Sequence, residues 1–285
     1  MVVASDARIA PSHGFHDGIG GFVSTDITYR SYLRLPELLV CQSPLTDAHD
    51  ELLFISIHQA SEIWLKLTLH ELRAARRQIV ADDLPPAFKM MARVARIQAQ
   101  MIQSWEVLAT MTPADYTVMR GRLGTSSGFQ SDQYREIEFM LGNKNAEMVE
   151  LHAAEPEVHG RLAAELTTPS LYDEALRLLA RRGFDIPAGR LERDFTLPYA
   201  PSPEVERAWA AVYASPKQYW DLYELAEKLV DVEYHVQLWR FGHLKTVERV
   251  IGFKTGTGGT AGVQYLAKVL ETVFFPELLS VRTRL

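Results

Sequence analysis

Cysteine occurs only once among the 285 residues, at Cys41. A single cysteine cannot close an internal disulfide, and it cannot supply a cysteine-rich zinc site or the paired thiols of a c-type haem attachment. Basic residues are also in deficit, since 30 lysines and arginines face 36 aspartates and glutamates for a net charge of −6. A protein that binds phosphate backbones would carry a basic excess, so we expect no nucleic-acid partner.

Long apolar segments are absent as well. The longest uninterrupted apolar run covers residues 208–214, whereas a membrane-spanning helix needs about 18 or more such residues. Near the N-terminus, Asp6 and Arg8 fall where a secretory signal would need its apolar stretch. We therefore expect no membrane association and a reducing, cytoplasmic location.

The N-terminal region is rich in glycine. Four glycines and two histidines lie between His13 and Gly21. This composition predicts a flexible arm over residues 1–26 that becomes ordered only when something binds it. No glycine- or serine-rich linker interrupts residues 27–285, so we expect these residues to form one domain.

Start and stop signals predict three long helices. The first begins at Thr46 and reaches about residue 80, and the second covers about residues 87–111, which contain no glycine or proline. The third begins at Ser215 as the N-cap, with Pro216 in its first turn, and Gly252 ends it. These helices are long enough to form the framework of the fold.

Shorter helices complete the expected fold. Thr112 followed by Pro113 opens one of them in the same way. Others are expected near residues 131–142, 170–182, 203–214 and 262–271. Alternation with period two is nearly absent, and Pro198 interrupts the best strand candidate, residues 194–199. The fold class is therefore all-α.

Most metal and nucleotide motifs are missing. No histidine follows a glutamate by three positions and HExxH does not occur, which disfavours a di-iron or zinc-protease site. Residues 256–261 fit the pattern GxGxxA, but the helix predicted before them disfavours a dinucleotide fold, and no P-loop is present. The segment is either a flexible connection or a loop that closes over a ligand, with Thr257 offering its hydroxyl.

Two histidines lie on apolar faces of predicted helices. His243 shares its face with Trp239 and Val247, and His58 shares its face with Phe54. Each is either a hydrogen-bonded core histidine or a functional imidazole. In the functional interpretation, His243 is an axial ligand of a haem iron, and His58 with Phe54 contacts one planar ligand.

Tyr116 and Arg120 are four residues apart on the short helix that begins near Thr112. Glycine and serine dominate residues 121–128, which follow directly. A guanidinium beside such a loop can clamp a carboxylate, because its two N–H groups match the two oxygens. The alternative is a surface arginine whose aliphatic stem lies along the helix.

Several long blocks resemble the tryptophan 2,3-dioxygenase family in its compact bacterial form. They are TYRSYLRLPELL at residues 28–39, FISIHQASEIWLKLTLHEL at 54–72, GTSSGFQSDQYREIEFMLGNKN at 124–145, QLWRFGHLKTVERVIGFKTGTGGTAGVQYL at 237–266 and FFPELLSVRT at 274–283. The blocks occur in the family's order, and the similarity extends from about residue 27 to the end, with residues 146–215 matching less tightly.

The resemblance implies a fold and a reaction. The expected fold is a single all-helical domain over residues 27–285 whose long helices enclose a b-type haem, assembled as a homotetramer. The expected reaction inserts both atoms of O2 into the indole 2,3 bond of L-tryptophan, giving N-formyl-L-kynurenine as the first step of tryptophan degradation by the kynurenine pathway.

The resemblance also implies roles for individual residues around the haem and the indole. His243 matches the axial ligand of the haem iron. His58 matches the distal histidine that hydrogen-bonds the indole N–H, and is the expected catalytic residue. Phe54 matches the aromatic residue against the indole, Arg120 the residue that pairs with the substrate carboxylate, and Tyr116 another residue of that pocket.

Further roles carry over to the loops and the N-terminal region. Thr257 matches the residue near the substrate ammonium on the mobile loop. Ser127 and Gly128 match the loop over the haem edge. Tyr29 and Tyr32 match residues that reach the substrate site of a neighbouring subunit.

Overall fold

A computed structural model of the protein describes residues 27–259 and 261–285. Every regular element in these ranges is helical, and they contain no strand, which confirms the all-α prediction. The chain divides into two compact units, residues 1–43 and residues 44–285. The predicted flexible arm, residues 1–26, lies outside the described residues, and the domain boundary placed after it stays a prediction.

The first unit contributes two short helices, α1 (Tyr29–Tyr32) and α2 (Leu35–Leu38). A capping box starts α1, because the side chains of Thr28 and Ser31 each accept a hydrogen bond from the other's backbone N–H. Tyr29 and Tyr32 are 77% and 76% exposed. Their predicted contact with a neighbouring subunit stays a prediction.

The second unit contains the long helices. In chain order its helices are α3 (Glu51–Val80), α4 (Leu84–Leu108), α5 (Pro113–Arg120), α6 (Asp132–Leu141), α7 (Glu147–Glu150), α8 (Pro156–Thr167), α9 (Leu171–Arg181), α10 (Ala188–Leu191), α11 (Pro203–Ala214), α12 (Trp220–Ile251), α13 (Val263–Val269) and α14 (Pro276–Ser280). The described ranges also contain two 3-10 helices, Gly128–Gln130 and Val281–Arg284.

Helix α4 packs against both α3 and α12. On each of the three helices the buried apolar residues recur at spacings of three and four, so that they form one stripe. The stripes consist of Leu65, Leu69, Leu72, Ala75 and Ile79 on α3, Leu84, Ala87, Met91 and Val94 on α4, and Leu222, Leu225, Leu229, Val232 and Val236 on α12. Burial of these stripes holds the three helices together.

The predicted start of the third long helix is wrong. Ser215 does not cap α12, which begins at Trp220. Instead, the backbone N–H groups of Gln218 and Tyr219 donate to the Ser215 carbonyl at 3.0 and 3.1 Å, and Tyr219 leaves the helical region with φ −120° and ψ 41°. The start signal therefore opens a single turn that is not continued, whereas the predicted end before Gly252 is confirmed.

The start of α3 also differs from the prediction. Thr46 lies five residues before the first helical residue, Glu51. The Glu51 carboxylate accepts from the Leu45 and Thr46 backbone N–H groups, both at 2.8 Å, and from the Thr46 hydroxyl. These bonds lower the pKa of Glu51. Thr46 is therefore a partner of the first helical residue, and does not cap the helix itself.

The start of α4 differs from the prediction, and α8 was not predicted. Helix α4 begins at Leu84, earlier than expected, since prolines fit its first turn without loss of a hydrogen bond. Helix α8 (Pro156–Thr167) has no counterpart among the predicted helices. Over the described ranges, no helix has the length and apolar content that crossing a membrane requires.

Candidate functional site

A cavity of about 550 Å³ lies within the second unit, a size typical of small-molecule sites. Helices α3, α4, α5, α6, α12 and α13 line it, together with the loops before the 3-10 helix Gly128–Gln130 and after α12. The predicted site residues that line it are Phe54, His58, Tyr116, Ser127, Gly128, His243 and Thr257. The structure thus brings together side chains from widely separated parts of the sequence.

His243 projects into this cavity from α12. Burial, and to a smaller extent the nearby His58, lowers its pKa to about 4. The imidazole is therefore neutral at physiological pH, which is the form that binds a metal ion. No residue in the described ranges hydrogen-bonds to either ring nitrogen.

His58 enters the same cavity from α3. Its Nδ1 lies 2.7 Å from the carbonyl oxygen of Phe54, one turn earlier. A carbonyl only accepts, so Nδ1 carries the proton and Nε2 carries the lone pair. Burial lowers the pKa of His58, although the bond to Phe54 and the charge of Glu62 oppose this shift. His58 is thus a neutral acceptor at Nε2.

Aromatic rings form the wall next to His58. The ring of Phe54 lies 4.2 Å from the His58 ring and 6.2 Å from the Tyr116 ring, centroid to centroid. Burial raises the pKa of Tyr116, so its hydroxyl stays protonated. Phe54 and His58, at a four-residue spacing, are therefore neighbours on the cavity wall, with their ring planes tilted by 39°.

Arg120 lies beside the cavity and is not one of its lining residues. Its Nη2 donates to the Thr255 carbonyl at 2.5 Å, and the guanidinium lies 6.0 Å from the centre of the Tyr116 ring. Its Nη1 is buried and has no hydrogen-bond partner within the described chain. A buried donor without a partner is costly, which indicates a place for an acceptor group.

The loop after α12 closes against the segment before the 3-10 helix. The Thr257 hydroxyl donates to the Ser126 carbonyl at 2.6 Å. Gly258 packs so tightly that a Cβ there would lie 2.8 Å from the Cβ of Ser127. Gly262 has φ +56°, and a Cβ there would meet the Lys254 carbonyl at 2.6 Å. Gly256, Thr257 and Gly262 of this loop line the cavity, and closure of the loop over a ligand stays a prediction.

Sequence reasoning missed a charged cluster in the wall of the cavity. Arg240 donates to Glu138 at 2.6 Å and to the Tyr134 hydroxyl at 2.9 Å, and Arg135 pairs with the same carboxylate. Arg240 lies three residues before His243 and therefore on the same face of the helix. This spacing could have indicated Arg240 as a residue of the site. Glu138 and Arg135 come from α6, and no local pattern connects α6 to α12.

Trp105 was also missed. Its ring stacks on the His243 imidazole with centroids 4.8 Å apart and planes within 8°. Helix α4 carries Trp105 and α12 carries His243, so the contact depends on how these two helices pack. In the described ranges no three His, Cys, Asp or Glu side chains gather as a metal site.

The fold and cavity define a helical protein with a cavity of small-molecule size and a neutral imidazole on the cavity wall. A sequence model described as tryptophan 2,3-dioxygenase matches residues 14–169 and 156–285. The chain therefore belongs to the tryptophan 2,3-dioxygenase family.

Similar proteins named tryptophan 2,3-dioxygenase come from several bacteria. That of Erythrobacter litoralis (strain HTCC2594) is 62% identical over 261 residues, covering 92% of this chain and 99% of the relative. That of Polaromonas sp. (strain JS666) is 58% identical and covers 92% and 89% of the two chains. That of Cupriavidus necator is 56% identical and covers 97% and 94%.

The contact at Gly258 makes loop closure testable. Gly258→Ala places a Cβ against Ser127, and overpacking of this kind costs about 1–3 kcal/mol. We expect the loop to open and the amides of residues 253–259 to exchange hydrogen roughly ten- to a hundredfold faster, as measured by mass spectrometry. Combining it with Ser127→Gly removes the clash, so the double variant should exchange like Ser127→Gly alone. Unchanged exchange in Gly258→Ala would contradict this packing.

Proposed function

We propose that this protein is a haem-dependent dioxygenase that inserts both atoms of O2 into the indole 2,3 bond of L-tryptophan. The product is N-formyl-L-kynurenine, and the reaction is the first step of tryptophan degradation by the kynurenine pathway. Family membership along nearly the whole chain supports the reaction class. The observation that carries the proposal is the pair of neutral imidazoles, His243 and His58, on the walls of one cavity.

The residues of the cavity fit a b-type haem. A b-type haem needs one neutral imidazole from an apolar wall, and His243 meets both requirements. Trp239 also lines the cavity, and its indole N–H is buried without a partner in the described chain. When bound, haem supplies the oxygen chemistry, while the protein supplies binding, orientation and electrostatics.

His58 holds the substrate in this proposal. Its Nε2 is the unprotonated nitrogen, so it accepts a hydrogen bond from the indole N–H. The lowered pKa makes His58 a weak base, and the indole N–H is itself a very weak acid. His58 therefore orients the ring, and does not need to remove its proton, while Phe54 and Tyr116 provide the aromatic wall against which the indole lies.

The amino-acid part of L-tryptophan is held by Arg120 and the loop. The partnerless Nη1 of Arg120 donates to the carboxylate. The Thr257 hydroxyl uses its hydrogen on the Ser126 carbonyl, so its lone pairs remain free to accept from the ammonium group. Ser127 and Gly128 form the adjoining wall. Closure of this loop excludes water from the cavity during the reaction.

Assembly and location complete the proposal. The protein acts in the cytoplasm as a homotetramer, in which Tyr29 and Tyr32 reach the substrate site of a neighbouring subunit. The high exposure of both tyrosines in the first unit supports their availability for such a contact.

The reaction is tested with haem-loaded, dithionite-reduced protein that receives L-tryptophan anaerobically and then ¹⁸O2. We expect a haem Soret band that shifts on adding L-tryptophan, followed by N-formylkynurenine that carries two ¹⁸O atoms by mass spectrometry. A Soret band without a response to L-tryptophan would leave a haem protein of another function. Absence of any haem band in folded protein would remove His243 as the ligand and the proposal with it.

Arg120→Ala should chiefly weaken binding of L-tryptophan. A charge-assisted hydrogen bond contributes about 1.5–3 kcal/mol, so KM should rise roughly ten- to a hundredfold, with a smaller change in kcat. Steady-state kinetics measure both values, and Arg122→Ala, at an exposed arginine nearby, is the matched control. A wild-type KM in the Arg120 variant would show that the guanidinium does not bind the carboxylate.

A further inference from the structure

The ring closest to the His243 imidazole among its ring contacts belongs to a tryptophan, Trp105. The Trp105 ring lies almost parallel to the imidazole, at 8° and 4.8 Å between centroids. Trp239 touches the same imidazole at 5.8 Å with a tilt of 35°. Parallel, offset rings of this kind attract each other and resist rotation out of the stack.

Trp105 is itself anchored to the helix that carries His243. Its indole N–H donates to the Trp239 carbonyl at 3.0 Å. That carbonyl belongs to α12, one turn before His243. The bond therefore fixes the Trp105 ring relative to the same turn of helix from which the imidazole projects, and helix α4 holds the other end of the side chain.

Gly242 provides the space for Trp105. A Cβ at this position would lie 2.7 Å from Cδ1 of Trp105, closer than Cβ atoms approach other side chains. Glycine inside a helix costs about 1 kcal/mol relative to alanine, so its presence in the middle of α12 needs a reason. The close approach of Trp105 supplies that reason.

A histidine that binds a metal must present its nitrogen in a defined plane. The rotation of a histidine ring about its Cβ–Cγ bond is intrinsically broad. Metal-binding histidines are usually oriented by a hydrogen bond from the second ring nitrogen to a carbonyl or carboxylate. In the described part of the chain no residue accepts from His243, so the orienting contact that the protein provides is the stack.

We propose that Trp105, admitted by Gly242, is a positioning residue that sets the plane of the His243 imidazole for the haem iron by stacking. This inference rests on the proposed function, because it takes His243 as the axial ligand. Trp105 acts through His243 and does not itself contact the iron.

The test compares the ferrous, haem-loaded wild type with Trp105→Leu, Trp105→Phe and Gly242→Ala. Trp220→Leu, at an exposed tryptophan at the start of α12, is the matched control. Resonance Raman spectroscopy records the iron–histidine stretching band, and transfer to an excess of apomyoglobin gives the rate of haem loss. Proton NMR of the haem-free proteins records the ring resonances of His243, which a stacked indole shifts upfield.

We expect one narrow iron–histidine band in the wild type and in Trp220→Leu. Trp105→Leu and Gly242→Ala should shift or split this band and speed haem loss about tenfold, the size expected when an orienting partner of a metal ligand is lost. Trp105→Phe keeps an aromatic ring, so its iron–histidine band and its rate of haem loss should lie between those of the wild type and of Trp105→Leu. Adding Gly242→Ala to Trp105→Leu should change nothing further, since Gly242 acts through Trp105. In haem-free protein, Trp105→Leu should abolish the upfield shift.

An unchanged band and rate of haem loss in Trp105→Leu and Gly242→Ala, with the upfield shift present in the wild type, would overturn the positioning role and leave the proposed function intact. A wild type without an iron–histidine band would overturn His243 as the ligand, and both proposals with it. If Trp105→Leu loses its helical circular dichroism, it is not folded. The positioning role is then judged from Gly242→Ala and Trp105→Phe, by the same iron–histidine band and rate of haem loss.

Discussion

Burial keeps two imidazoles uncharged on the walls of one cavity, and the candidate chemistry depends on this constraint. Removing a charged imidazole from water is unfavourable, so desolvation is the main cause of the lowered pKa of both His243 and His58. A neutral His243 has a lone pair for a metal. A neutral His58, with Nδ1–H committed to Phe54, has a lone pair at Nε2 for a ligand N–H.

The long helices place these groups where burial acts on them. His58 projects from α3 and His243 from α12, and α4 packs between the two helices through apolar stripes on all three. The same packing brings Trp105 of α4 onto the face of His243. The loop after α12 lines the cavity and contacts the segment before the 3-10 helix through Thr257 and Gly258. The scaffold is thus helical, while this part of the cavity wall is a glycine-rich loop.

Sequence patterns predicted those features of the structure that depend on residues close together along one helix. Phe54 and His58, four residues apart, were expected to meet one planar ligand; their rings lie 4.2 Å apart, and the contact with a ligand stays a prediction. The end of α12 before Gly252 was found, because a glycine ends a helix locally. The start of α12 was predicted wrongly. The signal at Ser215 opens a turn, and whether that turn continues as a helix depends on the conformation of Tyr219.

Contacts between distant segments could not be predicted in this way. Trp105 has no periodic relation to His243, and the bond of Arg120 to the Thr255 carbonyl joins segments that only the fold brings together. Gly242 could be read from the sequence, but only the structure shows that a side chain there would clash with the ring of Trp105. The roles given to individual residues came from the family resemblance. The structure adds which nitrogen of His58 carries the proton and which nitrogen of Arg120 lacks a partner.

The most direct test of the central claim is ¹⁵N NMR of haem-free, histidine-labelled protein, followed from pH 8 to acid. An exposed histidine is about half protonated at pH 6.5, and both imidazoles should be less protonated than that, because burial lowers the pKa of each. His58 should show a protonated Nδ1 and a bare Nε2, and His243 should remain neutral until the pH approaches about 4. Either imidazole half or more charged at pH 6.5, or a proton on Nε2 of neutral His58, would contradict the central claim.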